Sequence, residues 1–183
     1  MTDEPMISLN MAAALLGVSK RTVWRRVSDG QLGQVLNGAP GECTRVGLVQ
    51  VLAMAEVTLD ESERALVVAA DRGAATAQCE FGLWLRGRGQ LNEAFRWFQA
   101  AARQGEADAM QWLGRALLTG EGVRADRAEG MRWLRRAEQA GHVSAPALLA
   151  FLNSEAATGL QGQPLAGRLA TIDRDAVLAA LGR

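Results

Sequence analysis

Three glycines, Gly73, Gly105 and Gly141, recur at spacings of 32 and 36 residues, and Ala77, Ala109 and Ala145 follow the same steps. Gly82 aligns with Gly114 and Trp97 with Trp133, while Glu93–Phe98 aligns with Glu129–Leu134. A period of this length implies stacked supersecondary units, because one unit cannot bury its apolar face alone. The units read as paired helices. Small residues such as Ala77, Gly82, Ala109 and Gly114 let two helices approach, and the large aromatics of the second helix fill the gap to the next pair. A glycine closes each second helix because a left-handed residue reverses the chain there. Asn92 and Asp126 read as helix N-caps, with Glu129 completing a capping box.

Eight of the nine aromatic residues lie between Phe81 and Phe151, and the exception is Trp24. The chain therefore divides into two cores. The spacing predicts a seam near residue 58, where Asp60 followed by Glu63 forms a capping box. The expected organisation is a first domain over 1–57, a helical repeat domain over 58–153, and a loop-rich tail with a short helix over 154–183.

In the first domain, residues 9–16 are helix formers with apolar positions at helical spacing. Gly17 ends that helix, and Ser19 caps a second one that carries Lys20, Arg21, Arg25 and Arg26 with no acid. Val23 and Val27 share its core face, so the cations must point elsewhere. Trp24 is expected to pack rather than to act as a wedge. Residues 34–36 and 43–46 read as two strands joined through Asn37-Gly38, and 46–57 as a closing helix. The run Leu16-Gly17-Val18-Ser19-Lys20-Arg21-Thr22-Val23-Trp24-Arg25, followed by Gly30-Gln31-Leu32, resembles the helix-turn-helix of the MerR and phage-excisionase group. The resemblance implies a winged helix-turn-helix and a DNA contact surface of Ser19, Lys20, Arg21, Thr22, Arg25 and Arg26. Asn37 and Arg45 would be added from the wing. Five basic and five acidic groups balance over residues 1–57, so this domain lacks a strong positive field and is expected to bind DNA weakly alone. A homodimer or a partner protein would then supply the missing affinity.

In the second domain, Ala109, Leu113-Gly114, Gly120-Glu121-Gly122-Val123, Asp126, Trp133 and Ala137–Gly141 resemble the Sel1-like repeat, a relative of the tetratricopeptide repeat. Residues 74–105 match with a shortened loop, Gly87-Arg88-Gly89-Gln90. Residues 62–72 resemble a lone second helix and 144–153 a lone first helix. The resemblance implies a mainly α chain in which a short right-handed α-solenoid follows the first domain, with a protein partner bound on its concave, first-helix surface. Gln78, Arg86, Gln111 and Arg115 are the candidates to face that partner. Trp84 and Trp112 are expected in the core, and Trp97 and Trp133 are structural.

The tail has Gly159, Gly162, Pro164 and Gly167, so residues 154–172 read as loop. Asp173 would cap a short helix with an apolar stripe of Val177, Leu178 and Leu181. That helix could close the last repeat, dock a partner, or lie in the chain's own groove.

Other functions find little footing. The acidic start and the short apolar run at 11–16 do not resemble a signal peptide, and no apolar stretch approaches a membrane span. Cys43 and Cys79 make no metal spacing and read as free thiols of a cytoplasmic protein. His142 is the only histidine and has no ligand cluster beside it in sequence. No catalytic constellation and no cofactor site emerge. The expected class is a DNA-binding regulator or adaptor that couples a helix-turn-helix to a protein-binding scaffold. The alternative is a protein adaptor whose first domain has lost its DNA contacts.

Overall fold

The computed structural model describes residues 4–32, 35–36 and 44–182. Two compact units divide between Ala77 and Gln78.

The first unit packs short helices on a small sheet. Strand β1 (Met6–Ser8) leads into α1 (Leu9–Leu16), and α2 (Lys20–Ser28) follows. Strands β2 (Val35–Leu36) and β3 (Arg45–Gly47) precede α3 (Leu48–Ala55). The sheet order is β1-β3-β2, antiparallel throughout, with Ile7 opposite Val46 and Val35 opposite Val46 on the other side. The two strands expected from sequence do pair, and β1 joins them as a third that was not anticipated. Ile7, Met11, Leu15, Val23, Leu32, Val46 and Val51 form the buried centre. Gly17 closes α1 at φ 63, the left-handed conformation in which a side chain is disfavoured.

Helix α4 (Glu61–Asp71) starts at the expected capping box, in which Asp60 Oδ1 accepts from the Glu63 backbone at 2.8 Å. That N–H, with the Ser62 hydroxyl, holds the Asp60 carboxyl below its usual range. Sequence placed this helix with the repeats, but it belongs to the first unit. The reason is Asp71, whose carboxylate accepts from the Ser8 backbone at 3.0 Å, from the Ser8 hydroxyl, and from Arg45 Nη1 at 3.1 Å.

The second unit holds the hairpins. Helices α5 (Ala75–Gly87, which begins before the boundary) and α6 (Leu91–Arg103) form the first, and α7 (Ala107–Thr119) and α8 (Arg127–Gln139) the second. Helix α9 (Ala145–Leu152) and α10 (Gly162–Leu181) follow, with a 3-10 turn at Glu155–Ala157 between them. The small residues work as the sequence implies. A Cβ on Gly114 would lie 3.0 Å from the Gly130 carbonyl oxygen and from Leu134, so α7 and α8 touch nearly backbone to backbone. Asp126 caps α8 by accepting from the Glu129 backbone at 2.9 Å, whereas the Glu129 side chain turns to Arg132 at 2.7 Å instead of completing a box. Asn92 is not a cap, because α6 already begins at Leu91.

The tail departs most from expectation. Helix α10 runs 20 residues, and Asp173 lies in its middle rather than at its start. Pro164 falls in the first turn, where no backbone N–H is needed. Gly167 weakens the helix by about 1 kcal/mol relative to Ala, but Leu165 and Leu169 on either side are buried in the apolar cluster that α10 shares with α7 and α9. Tertiary burial overrides propensity here. The expected apolar stripe is solvent-facing: Leu178 and Leu181 are 59% and 78% exposed.

Candidate functional site

Each unit presents one face with the chemistry of a binding surface. In the first unit it is α2. Ser19 Oγ accepts from the Thr22 backbone at 3.1 Å and lies 2.9 Å from the Thr22 hydroxyl, which fixes the start of the helix. Val23 is buried, so the helix turns Lys20, Arg21 and Arg25 to solvent, and these three make no ion pair among the described residues. Arg26 and Arg45 do not join them. Arg26 Nη1 donates to Met54 Sδ at 3.0 Å on α3, and Arg45 Nη1 donates to the Met6 carbonyl at 3.2 Å while pairing with Asp71. Arg45 was expected as a wing contact, but its charge is matched inside the unit. Asn37 lies outside the described residues.

Trp24 was expected to pack, yet it is 48% exposed. It follows Val23 by one residue, about 100° around the helix, and so stands at the edge of the core face. With Lys20, Arg21, Asn10 and Thr44 it lines an open depression of about 630 Å³. An indole and three exposed cations on one helix form a surface suited to anions and to stacked rings.

In the second unit the face is that of α7, the first helix of its hairpin, and of α9. Gln111 and Arg115 were expected to face outward, but they are 1% and 7% exposed. What covers them is α10. Asp173 accepts from Gln111 Nε2 at 3.1 Å, from Arg115 Nη1 at 3.2 Å, and from the hydroxyl of buried Ser144 at the start of α9. Burial pulls the Arg115 guanidinium below its usual range, and the Asp173 charge opposes that shift. The Gln111 carbonyl oxygen is buried and accepts no hydrogen bond among the described residues.

The other two candidates lie on α5. Arg86 pairs with Glu121 at 2.8 Å and stands 4.8 Å from the Trp112 ring centre, with Arg115 at 4.6 Å from the same ring. Trp112 also stacks on Phe98 at 6.1 Å, so it belongs to the hairpin packing while its ring carries two guanidiniums. Gln78 accepts from Gln104 at 2.7 Å. Trp84 stacks on Phe81, and Trp97 meets the same ring edge-on. The structure therefore groups Arg86, Gln111 and Arg115, and it adds Ser144 and Asp173, which sequence reasoning missed. Leu165, Leu169 and Asp173 fall at four-residue steps, a helical stripe that Pro164 and Gly167 disguised as loop.

Desolvation first, and then Asp108, Glu106 and Glu80, push the buried Cys79 thiol up to about 12. His142 Nε2 lies 3.3 Å from Asp108. No group of metal-ligating side chains, and no helix long and apolar enough to cross a membrane, occurs among the described residues.

The Sel1 repeat family model matches residues 76–106 and 107–142. A Sel1 repeat protein from Oxalobacter formigenes has a crystal structure similar to this chain at a TM-score of 0.49 and 18% identity. The similarity covers 64% of this chain and 49% of that one, so the chain spans about half of that protein's length. No curated protein matches the sequence.

Proposed function

The hairpins α5–α6 and α7–α8 are Sel1 repeats, and on that premise we propose that the chain is a non-enzymatic adaptor. Its repeat unit is a protein-interaction scaffold, and its first unit is a helix-turn-helix that reads DNA. The observation that carries the DNA part is the set of Lys20, Arg21 and Arg25, exposed and without ion pairs among the described residues, on a helix that begins at a fixed Ser19 cap. A helix start offers backbone N–H groups to phosphate, and arginine pairs with guanine edges or phosphate through two parallel bonds. With Arg26 donating to Met54 and Arg45 of β3 paired with Asp71, α2 keeps three cations without ion pairs among the described residues, so affinity from this unit alone is low and a dimer or the scaffold's partner supplies the rest.

The test is binding of the full chain to a pool of promoter fragments at low and at physiological salt. Binding should weaken with salt at a slope of about −0.9 per phosphate contact. The double substitution Arg21→Ala with Arg25→Ala should lower that slope by about 2. Equal binding by the wild type and the double variant sinks the DNA part. It would leave a second reading, a protein adaptor whose first unit keeps its fold without DNA contacts, which the internal pairing of Arg45 with Asp71 favours.

A further inference from the structure

We propose that the face formed by α7 and α9 is a docking groove for an acidic amphipathic helix of a partner protein, patterned Leu-x-x-x-Leu-x-x-x-Asp. Helix α10 occupies that groove as an intramolecular stand-in. This names the partner chemistry of the scaffold and rests on the scaffold reading.

The groove is built to recognise a carboxylate. Gln111 and Arg115 on α7 and Ser144 on α9 aim three donors at one acid, and all three side chains are buried. A cap that only covered apolar surface would need none of them, since a buried ion pair adds little to stability over apolar packing. What such a pair does supply is register: it fixes which residue of an incoming helix lies over Arg115. Leu165 and Leu169 set the rest of the pattern by filling the cluster of Leu118, Leu148 and Leu152.

Helix α10 fits this groove incompletely. It leaves the Gln111 carbonyl oxygen buried without a donor among the described residues, a deficit that a partner helix carrying a donor beside its acid would remove. Only Leu165 and Leu169 of its 20 residues are buried, and its last two turns bury nothing. It has no side-chain N-cap, contains Gly167, follows Gly159 and begins at Gly162, both glycines at positive φ. A helix with so few anchors and a glycine-rich entry can leave without unfolding the hairpins beneath it.

A fluorescein-labelled synthetic peptide spanning residues 161–182, titrated by anisotropy against the full chain, tests the groove. Asp173→Asn in the chain weakens the tethered competitor, so this variant should bind the peptide about tenfold more tightly than the wild type does. A peptide with Asn in place of Asp173 should bind that variant about tenfold more weakly than the acidic peptide. Adding Arg115→Met to the chain should remove the preference. No binding to the Asp173→Asn chain, or equal binding of acidic and amide peptides, overturns the proposal. Hydrogen exchange of the wild type is the second measurement. Amides of 162–181 should exchange about a hundredfold faster than those of 107–119 and 145–152. Equal protection would make α10 a fixed part of the fold and would also overturn it. A wild-type dimer that dissociates on Asp173→Asn would identify the occupant as a second copy's α10, against a separate partner. A protein bound through α5 and α6 equally by both chains would leave the scaffold reading standing and sink this one.

Discussion

Asp71 and Asp173 face the same problem with the same donors, and they solve it with different permanence. Each carboxylate accepts from a serine hydroxyl, from an arginine, and from one further N–H. The Asp71 side chain is 3% exposed, and its donors lie on β1 and β3, which also pair with each other through the sheet. The Asp173 side chain is 22% exposed, and besides it α10 is held by buried Leu165 and Leu169, half-buried Ile172 and Arg168 over the Phe151 ring. One carboxylate is a lock and the other a latch. The difference is not in the hydrogen bonds but in how many other contacts hold the same elements together.

If the latch carries little of the second unit's stability, that stability must lie where the hairpins meet, and Gly122 is the sharpest place to check. Gly122 sits at φ +73 in the α7–α8 loop, and a Cβ there would lie 2.3 Å from the Leu91 carbonyl oxygen at the start of α6. Glu121 beside it reaches back to Arg86 at 2.8 Å, so this loop ties the second hairpin to the first. Gly122→Ala adds left-handed strain to a backbone clash and should cost roughly 3 kcal/mol or more, read as a fall in the urea midpoint. A cost near zero would place the unit's stability elsewhere. Asp71→Ala comes next. It strips the acceptor from the Ser8 N–H and hydroxyl and leaves Arg45 unpaired, which should cost about 2–3 kcal/mol. Asp173→Asn, by contrast, should cost no more than about 1 kcal/mol in the same measurement, because α10 can release without the hairpins unfolding. If Asp173→Asn proved the costlier of the two carboxylate substitutions, the distinction between lock and latch would be reversed.

Why the lock and the latch were both hidden from sequence while the hairpins were not has a physical answer. Gly82 and Gly114, and Trp97 and Trp133, sit at repeated positions within the hairpins, so local pattern carries the information. The cap at Asp60, the turn at Gly17 and the free cations of α2 are local too, and each is where the sequence placed it. Asp71 and Asp173 act across 63 and 62 residues of chain, on Ser8 and Gln111. No periodicity reports a contact of that range. Gln111 and Arg115 read as solvated because polar side chains on a helix surface usually are. They are buried only because α10 covers them, and Pro164 with Gly167 made α10 read as loop. Trp24 failed for the opposite reason: an indole is expected inside, and the small core of the first unit closes on Val23 without it.

Cys79 separates latch from hairpin most finely, because the expected effect of releasing the latch is none. It lies buried on α5, away from the residues that contact α10, and its thiol is held up at about 12 against an ordinary value of 9.0. In a Cys43→Ser background it is the single thiol, so alkylation at pH 8 reports only opening of the first hairpin, the thiolate being the reactive form. Gly122→Ala should speed that alkylation in proportion to its loss of stability, whereas Asp173→Asn should leave the rate at the wild-type value. The raised value also sets a pH dependence. The folded state holds its thiol proton more tightly than the unfolded state, so this contribution is intact below pH 9 and drains away as pH rises from 9 towards about 12. Faster alkylation in the Asp173→Asn variant would mean that α10 braces the whole repeat unit, and the latch would then be a lock.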